Sequence, residues 1–268
     1  MRINTNLNAM IATNQMSKNT ALAGSSMEKL STGLRITKAG DDAAGLAVSE
    51  KMRAQIRGME QAERNVQDGI SMVQTAEGAL EEAGNIAQRM RELGVQAGND
   101  TLSDDDRTKV KEELKQLQDE MSKIATETKF NGKELLNKVG TFTIQAGANS
   151  ETRKITTADL SSIANGLSTI SVSTSAQAQS FVEKVDTALE SINNARSELG
   201  AMQNRLEYTA NNLTTSAENL TAAESRIRDV DVAKEMVTLS KLNILNQASQ
   251  AMVSQAKQQP ESVSQLLR

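Results

Sequence analysis

The sequence contains no cysteine, no histidine and no tryptophan, and only one proline, one tyrosine and three phenylalanines in 268 residues. Each absence removes a class of chemistry. Without thiols or imidazoles there are no disulfides, no cysteine nucleophile, no histidine general base and none of the common zinc or copper ligand sets. Carboxylate, serine or lysine chemistry passes this filter, and the lack of cysteine leaves the redox compartment open. With aromatics at 1% of the chain, the core has to be built from Leu, Ile, Val, Met and Ala, and the lone Pro260 leaves long helices uninterrupted. Two further absences concern partners. A net charge of -4 argues against nucleic acid. No apolar run approaches the ~20 residues that span a bilayer. The opening Met-Arg-Ile-Asn-Thr-Asn-Leu-Asn has neither the apolar core nor the cleavage site of a secretory leader. No membrane insertion is expected, and any export is expected to proceed without a cleaved signal peptide.

What the sequence does have is periodicity. Phe181, Val185, Ala188, Ile192, Ala195, Leu199, Met202, Leu206, Thr209, Leu213, Ser216, Leu220, Ala223 and Ile227 hold an unbroken heptad register. A stripe repeating every 3.5 residues keeps one seam of a helix against a neighbour, and this one predicts a rod roughly 70 Å long. A second helix is expected from about Ala44 to Ala97, with Met52, Ile56, Met59, Val66, Ile70, Val73 and Leu80 on its seam and Glu63 and Glu77 at two further heptad positions. Gly98-Asn99 ends it. Ser103 is placed to cap a third helix whose acidic first turn, Asp104-Asp105-Asp106, complements the positive helix start; Val110, Leu114, Leu117, Met121 and Ile124 form its seam. Thr141 to Ala146 alternates with period 2 and is followed by Gly147-Ala148-Asn149-Ser150, so Arg153 to Thr156 is expected to return as the second strand of a hairpin. Ser161 to Ser180, rich in Ser, Thr and Ala, reads as an exposed and loosely specified surface.

The two ends read differently from the middle. Ile3, Leu7 and Met10, then Met16, Ala23, Met27, Leu30 and Leu34, have helical spacing with one slip of phase. Lys38 to Asp42 is a connector, with Gly40 to break the helix and an aspartate to cap the next one. After Ile227 one stripe becomes two: Ala233, Val237, Ile244, Ala248 and Ala251 lie beside Met236, Leu239, Leu242, Leu245 and Met252. That apolar arc is wider than one partner helix can cover. Pairing it with the N-terminal segment still leaves apolar surface, which points to self-association. The core of a soluble bundle is the alternative reading of the same stripes. The aspartate runs read as helix caps rather than cation or acid–base sites, since no glycine-spaced calcium loop surrounds them, and Gly33, Gly40 and Gly45 do not form a phosphate loop.

Several ordered pieces carry a resemblance. Lys29-Leu-Ser-Thr-Gly-Leu-Arg-Ile36, Asp41-Asp-Ala-Ala-Gly-Leu-Ala47, Asn65-Val-Gln-Asp-Gly-Ile70, Gln74-Thr-Ala-Glu-Gly-Ala-Leu80, Arg91-Glu-Leu93 and Phe130-Asn-Gly132 stand in the N-terminal half. Leu199-Gly-Ala-Met-Gln-Asn-Arg205, Ser225-Arg-Ile-Arg-Asp-Val-Asp231, Ile244-Leu-Asn-Gln-Ala248 and Leu266-Leu-Arg268 stand in the C-terminal half. In order and spacing the sequence resembles bacterial flagellin, in a short form with a minimal outer domain. The resemblance implies a mainly α fold: a long antiparallel coiled-coil bundle with a small β-hairpin, whose terminal helices pair as an inner coiled coil that is disordered in the free monomer. Residues 1–40 and 228–268 would form the terminal assembly domain and 41–227 the helical rod, with 140–176 as a short variable surface segment.

The resemblance also implies a non-enzymatic subunit of an extracellular filament that serves motility, without cofactors. Assembly would run through Ile3, Leu7, Met10, Met27, Leu30, Leu34, Val237, Ile244, Leu245, Met252, Leu266 and Leu267. A flagellar secretion chaperone would hold Met236, Leu239, Leu242, Leu245, Ala248 and Met252. The filament cap and the hook–filament junction proteins are further implied partners. Gln88, Arg89, Leu93 and Glu120 match positions by which flagellins are bound by the vertebrate Toll-like receptor 5; the same four also read as a solvated helix face with Leu93 partly in the core, or as contacts between protofilaments. Gly94 departs from the family's more usual Ala, at about 1 kcal/mol of helix propensity if exposed, and Ala210 stands where a larger aliphatic is usual. A hook–filament junction protein and a cytosolic coiled-coil adaptor are the alternative readings. The zinc protease inserted in some flagellins needs a histidine motif that this chain lacks.

Overall fold

A computed structural model describes residues 6–266, with side chains described to residue 258. The elements run α1 (Leu7–Thr32), α2 (Ala43–Ala97), α3 (Asp104–Glu127), β1 (Lys129–Phe130), β2 (Lys133–Glu134), β3 (Gly140–Gln145), β4 (Thr152–Thr157), α4 (Leu160–Gly166), α5 (Ser175–Arg228) and α6 (Val232–Leu266). They divide into two compact units, residues 55–218 and residues 1–54 with 219–268, and α2 and α5 contribute to both.

In the unit of residues 55–218, periodicity becomes burial almost residue for residue. Phe181, Val185, Ala188, Ile192, Leu199, Leu206 and Leu213 of α5 are buried, and so are Met59, Ala62, Val66, Ile70, Val73, Ala76, Leu80, Ala83, Ala87, Met90, Leu93 and Ala97 of α2. The two helices run antiparallel. A Cβ on Gly94 would lie 2.9 Å from Val182 and one on Gly84 3.8 Å from Ile192, while Arg91 pairs with Asp186 at 2.6 Å and Arg196 with Glu77 at 3.7 Å. Gly94 is therefore not an exposed helix weakness: it is buried, and its missing side chain is filled by Phe181 and Val182.

Helix α3 starts as its sequence requires, with the Ser103 hydroxyl accepting from the Asp106 N–H at 3.3 Å. It buries Val110, Leu114, Met121 and Ala125. The β3–β4 hairpin pairs Gly140 with Thr157 through Gln145 with Thr152 and lies along α2. Asn65 donates to the Gln145 carbonyl at 3.2 Å, and a Cβ on Gly69 would run into the end of the Ile144 side chain, which would have to shift to admit it. Two elements were not expected. β1 and β2 form a small hairpin around Asn131-Gly132, both with positive φ, the turn chemistry that an Asn-Gly pair supplies. Helix α4 packs against α3, with Asp159 accepting from the Ser162 N–H at 2.8 Å. Ser161 to Ser180 is accordingly not a loosely specified surface: Ala164, Leu167, Val172 and Ala178 are all buried and anchor it.

In the unit of residues 1–54 and 219–268, α1 and α6 pack antiparallel. Asn6 donates to the Ala256 carbonyl at 2.6 Å, Thr20 to the Asn246 side chain at 3.4 Å, and Arg35 through its backbone N–H to the Arg228 carbonyl at 2.6 Å. Asn6 also caps α1, accepting from the Ala9 N–H at 3.1 Å, and Gly33 ends it in the left-handed conformation. The connector then folds back on itself: Asp41 accepts from the N–H groups of Thr37 and Lys38, Ile36 is buried, and Asp42 caps α2 through the Gly45 N–H at 2.8 Å.

The terminal helix pair as candidate functional site

The seam between α1 and α6 is unusual in what it hides. On α1 the inward positions are Ala9, Ala12, Met16, Asn19, Ala23, Ser26 and Leu30, in a regular 3–4 spacing, with Asn19 and Ser26 the most buried. On α6 the corresponding line is Glu235, Leu239, Leu242, Asn246, Ser249, Val253 and Ala256. Small and polar side chains thus occupy much of the position that Leu and Ile fill in the α2–α5 seam. A polar residue at such a site fixes register and lowers stability. Gln15 donates to the buried Asn19 amide oxygen at 3.4 Å.

Apart from Met16, Leu30, Leu239, Leu242 and Val253, the large apolar side chains point the other way. Leu7, Met10, Ile11, Leu22 and Met27 of α1, and Met236, Val237, Ile244, Leu245 and Met252 of α6, are exposed, Val237 by 70%. Of the residues singled out for assembly, Leu30 and Leu34 are half-buried and the other described ones are exposed; Ile3, Leu267 and the side chain of Leu266 lie outside the described residues. Neither of the two stripes read along α6 coincides with the line that faces α1, to which only Leu239 and Leu242 of the second belong. The first, from Ala233 to Ala251, is wholly exposed, and in the second only Leu242 is buried and Leu239 half-buried. Hydrophobicity misidentified the seam because two of its members, Asn246 and Ser249, are polar, as are Asn19 and Ser26 opposite. A groove of about 400 Å³ opens where the pair meets, lined by Ile11, Ala12, Met252 and Ala256 with Asn8, Gln15, Ser249 and Gln255.

The set proposed for the chaperone is divided by this geometry. Met236, Leu245, Ala248 and Met252 are accessible, whereas Leu242 is 8% exposed and becomes available only if α6 leaves α1. The receptor set divides as well. Gln88, Arg89 and Glu120 are exposed, but Leu93 is 2% exposed, inside the core rather than partly in it, and cannot be touched from outside the folded rod. Arg89 is held by Glu113 at 3.0 Å and Glu92 at 3.1 Å, hydrogen bonds that raise its guanidinium above the ordinary arginine range. Glu120 is paired with Lys123 at 3.5 Å.

The aspartates act as caps. Asp41 is pulled below the usual carboxylate range, first by the Lys38 N–H and then by the Thr37 hydroxyl and N–H, and Asp106 by the Ser103 hydroxyl and N–H. Among the described residues no group of acidic side chains is arranged to hold a metal, and no helix is long and apolar enough to cross a membrane.

Comparison with known proteins shows the family to which this chain belongs. Residues 3–141 match the family model of the bacterial flagellin N-terminal helical region and residues 182–267 that of the bacterial flagellin C-terminal helical region. The chain is 54% identical to a flagellin of Halalkalibacterium halodurans over 272 residues and 48% identical to a flagellin of Bacillus subtilis over 304, with 100% of each chain covered in both cases. The crystal structure of Bacillus cereus flagellin superposes with a TM-score of 0.52 at 35% identity, covering 60% of this chain and 94% of that one. A helix pair that encloses polar groups and displays Ile and Met is out of place in a monomer and in keeping with a polymer subunit. The chain belongs to the bacterial flagellin family and is a non-enzymatic structural subunit of the extracellular flagellar filament.

Proposed function

We propose that the outward faces of α1 and α6 are the surfaces through which subunits join. One observation carries this reading: Leu7, Met10, Met27, Val237, Ile244, Leu245 and Met252 are displayed while Asn19, Ser26 and Ser249 are enclosed. Fully burying a side chain of this kind contributes about 1.5–3 kcal/mol, so covering the set against neighbouring copies drives polymerisation. Residues 1–40 and 228–268 act as the assembly domain and 41–227 as the rod, with 140–176 as its short outer segment, anchored by Ile155, Leu160 and Ala164. Ile3, Leu266 and Leu267 take part in assembly as well.

Before joining a filament, α6 is a target for a secretion chaperone, because an amphipathic helix held by a weak polar seam can lay its apolar face in a groove. Met236, Leu245, Ala248 and Met252 make first contact, and Leu239 and Leu242 follow as α6 separates from α1. Export proceeds without a cleaved signal peptide. The same terminal helices meet the hook–filament junction at one end and the filament cap at the other. On the rod, Gln88, Arg89 and Glu120 are the exposed members of the Toll-like receptor 5 set, with Leu93 supporting them from within.

Seeded elongation of Val237→Asp and Ile244→Asp subunits tests the assembly reading. Both substitutions should stop elongation while leaving the unfolding free energy of the free subunit within about 0.5 kcal/mol, as for other surface positions. Elongation at the wild-type rate would refute it. For the chaperone, amide signals of residues 232–258 that stay unmoved in a titration would exclude binding there. For the receptor, an Arg89→Ala monomer that signals undiminished would count against the patch.

A further inference from the structure

Methionine is divided between the two units in a way that burial alone separates. In the rod, Met59, Met72, Met90 and Met121 are 8%, 7%, 0% and 0% exposed; on α1 and α6, Met10, Met27, Met236 and Met252 are 52%, 60%, 59% and 61% exposed. Met16, Met52 and Met202 are half-buried. Because the chain has no cysteine, histidine or tryptophan, thioethers are its most readily oxidised side chains. The accessible ones stand on the faces assigned above to subunit contacts.

We infer that Met10, Met27, Met236 and Met252 form an oxidative modification site of the free subunit, at which a two-electron oxidant such as hydrogen peroxide reversibly blocks polymerisation. The inference rests on the assembly reading. In each event the thioether sulfur attacks one peroxide oxygen, a sulfur–oxygen bond forms and the oxygen–oxygen bond breaks. The sulfur gives up two electrons, peroxide is reduced, and water leaves with the displaced oxygen. The product sulfoxide is polar and a strong hydrogen-bond acceptor, which an apolar interface cannot accommodate without loss. Met59, Met72, Met90 and Met121 are enclosed in the core of the rod and are spared, so the modified subunit stays folded. Once subunits are joined, neighbours cover the outward faces and the same methionines are shielded. The modification therefore distinguishes subunits in transit from those already in the filament.

The experiment compares wild-type free subunits and preformed filaments after the same brief treatment with hydrogen peroxide. Each methionine is mapped by peptide mass spectrometry, and seeded elongation is measured before and after incubation with the pair of methionine sulfoxide reductases that together reduce both sulfoxide epimers. In free subunits Met10, Met27, Met236 and Met252 should oxidise ahead of Met59, Met72, Met90 and Met121, and elongation should slow by about tenfold or more, the consequence of losing the apolar contribution of even one well-buried methionine. Reductase should restore it, and filaments should keep the four reduced. Undiminished elongation with all four oxidised would overturn the inference, as would a loss that reductase does not reverse or oxidation of the rod methionines first. Ile244→Asp separates this failure from that of the assembly reading. If that variant elongates normally, the outward faces do not join subunits; if it is blocked while the oxidised wild type elongates, only the methionine inference falls.

Discussion

Leu80 and Ile244 are both large aliphatic residues on long helices, yet Leu80 is fully enclosed and Ile244 is 63% exposed. The difference reflects two ways of building a helical seam. In residues 55–218, Leu80 of α2, Leu114 of α3 and Ile192 and Leu206 of α5 all turn inward, and most charged residues, with Arg107 an exception, face solvent. In the unit made by the chain ends, α1 and α6 turn Asn19, Ser26, Asn246 and Ser249 toward one another and present Met, Ile and Val outside. The first arrangement is complete within one chain. The second leaves its large apolar side chains in solvent, the surface that the proposed subunit contacts would cover.

Substitutions can break this contrast, beginning with the rod. Leu80→Ala or Leu114→Ala removes a fully buried side chain and should cost about 2–5 kcal/mol, read as a fall in the denaturant midpoint of the free subunit. Met236→Ala in the same titration should change the unfolding free energy by less than about 0.5 kcal/mol.

A smaller change sharpens the contrast from the other side. Asn19→Leu replaces a polar seam residue with the type found in the rod and should stabilise the α1–α6 pair by about 1–2 kcal/mol, seen as slower amide exchange in both helices. Unchanged or faster exchange would show that Asn19 contributes more than register. Caps come next. Ser103→Ala should destabilise the rod by about 1 kcal/mol, while Asn6→Ala, a comparable loss at the start of α1, should raise exchange locally and leave the rod's midpoint in place.

The smallest effect is that of acid. Hydrogen bonds from Lys38 and Thr37 favour the ionised form of Asp41 in the fold, so its carboxyl titrates lower there than in the unfolded chain. The stabilisation is therefore present above the ordinary aspartate value and is lost as pH falls below about 4. Thr37 and Lys38 amide signals should shift in that range, and Asp41→Asn should abolish the shift.

The sequence made the rod legible because its burial follows hydrophobicity. Phe181 to Leu213 could be read directly, the start of α3 followed from Ser103 and its aspartates, and the hairpin was placed within a residue or two of Gly140–Gln145 and Thr152–Thr157. The terminal seam was not legible, since a polar, small-residue seam gives no periodic apolar signal and the apolar stripes on α6 mark its outer faces. Helix α4 was obscured by Ser- and Thr-rich composition, with Leu160, Ala164 and Leu167 as its only apolar anchors. The β1–β2 hairpin did carry a signal, Asn131-Gly132, but strands of two residues leave no alternation to accompany it. For the outward-facing residues, sequence supplied the apolar side chains and only the packing of α1 on α6 showed which way they point.

If the terminal helices find their apolar burial in the polymer and not in the single chain, polymerisation has to change how readily they open. Amide hydrogen exchange on free subunits and on filaments tests it most directly. In the free subunit, residues 7–32 and 232–258 should exchange orders of magnitude faster than residues 59–97 of α2, as expected where few apolar contacts oppose local opening. Polymerisation should bring the ends to the rod's level of protection. Terminal helices already as protected as α2 in the free subunit, and unchanged in the filament, would contradict it.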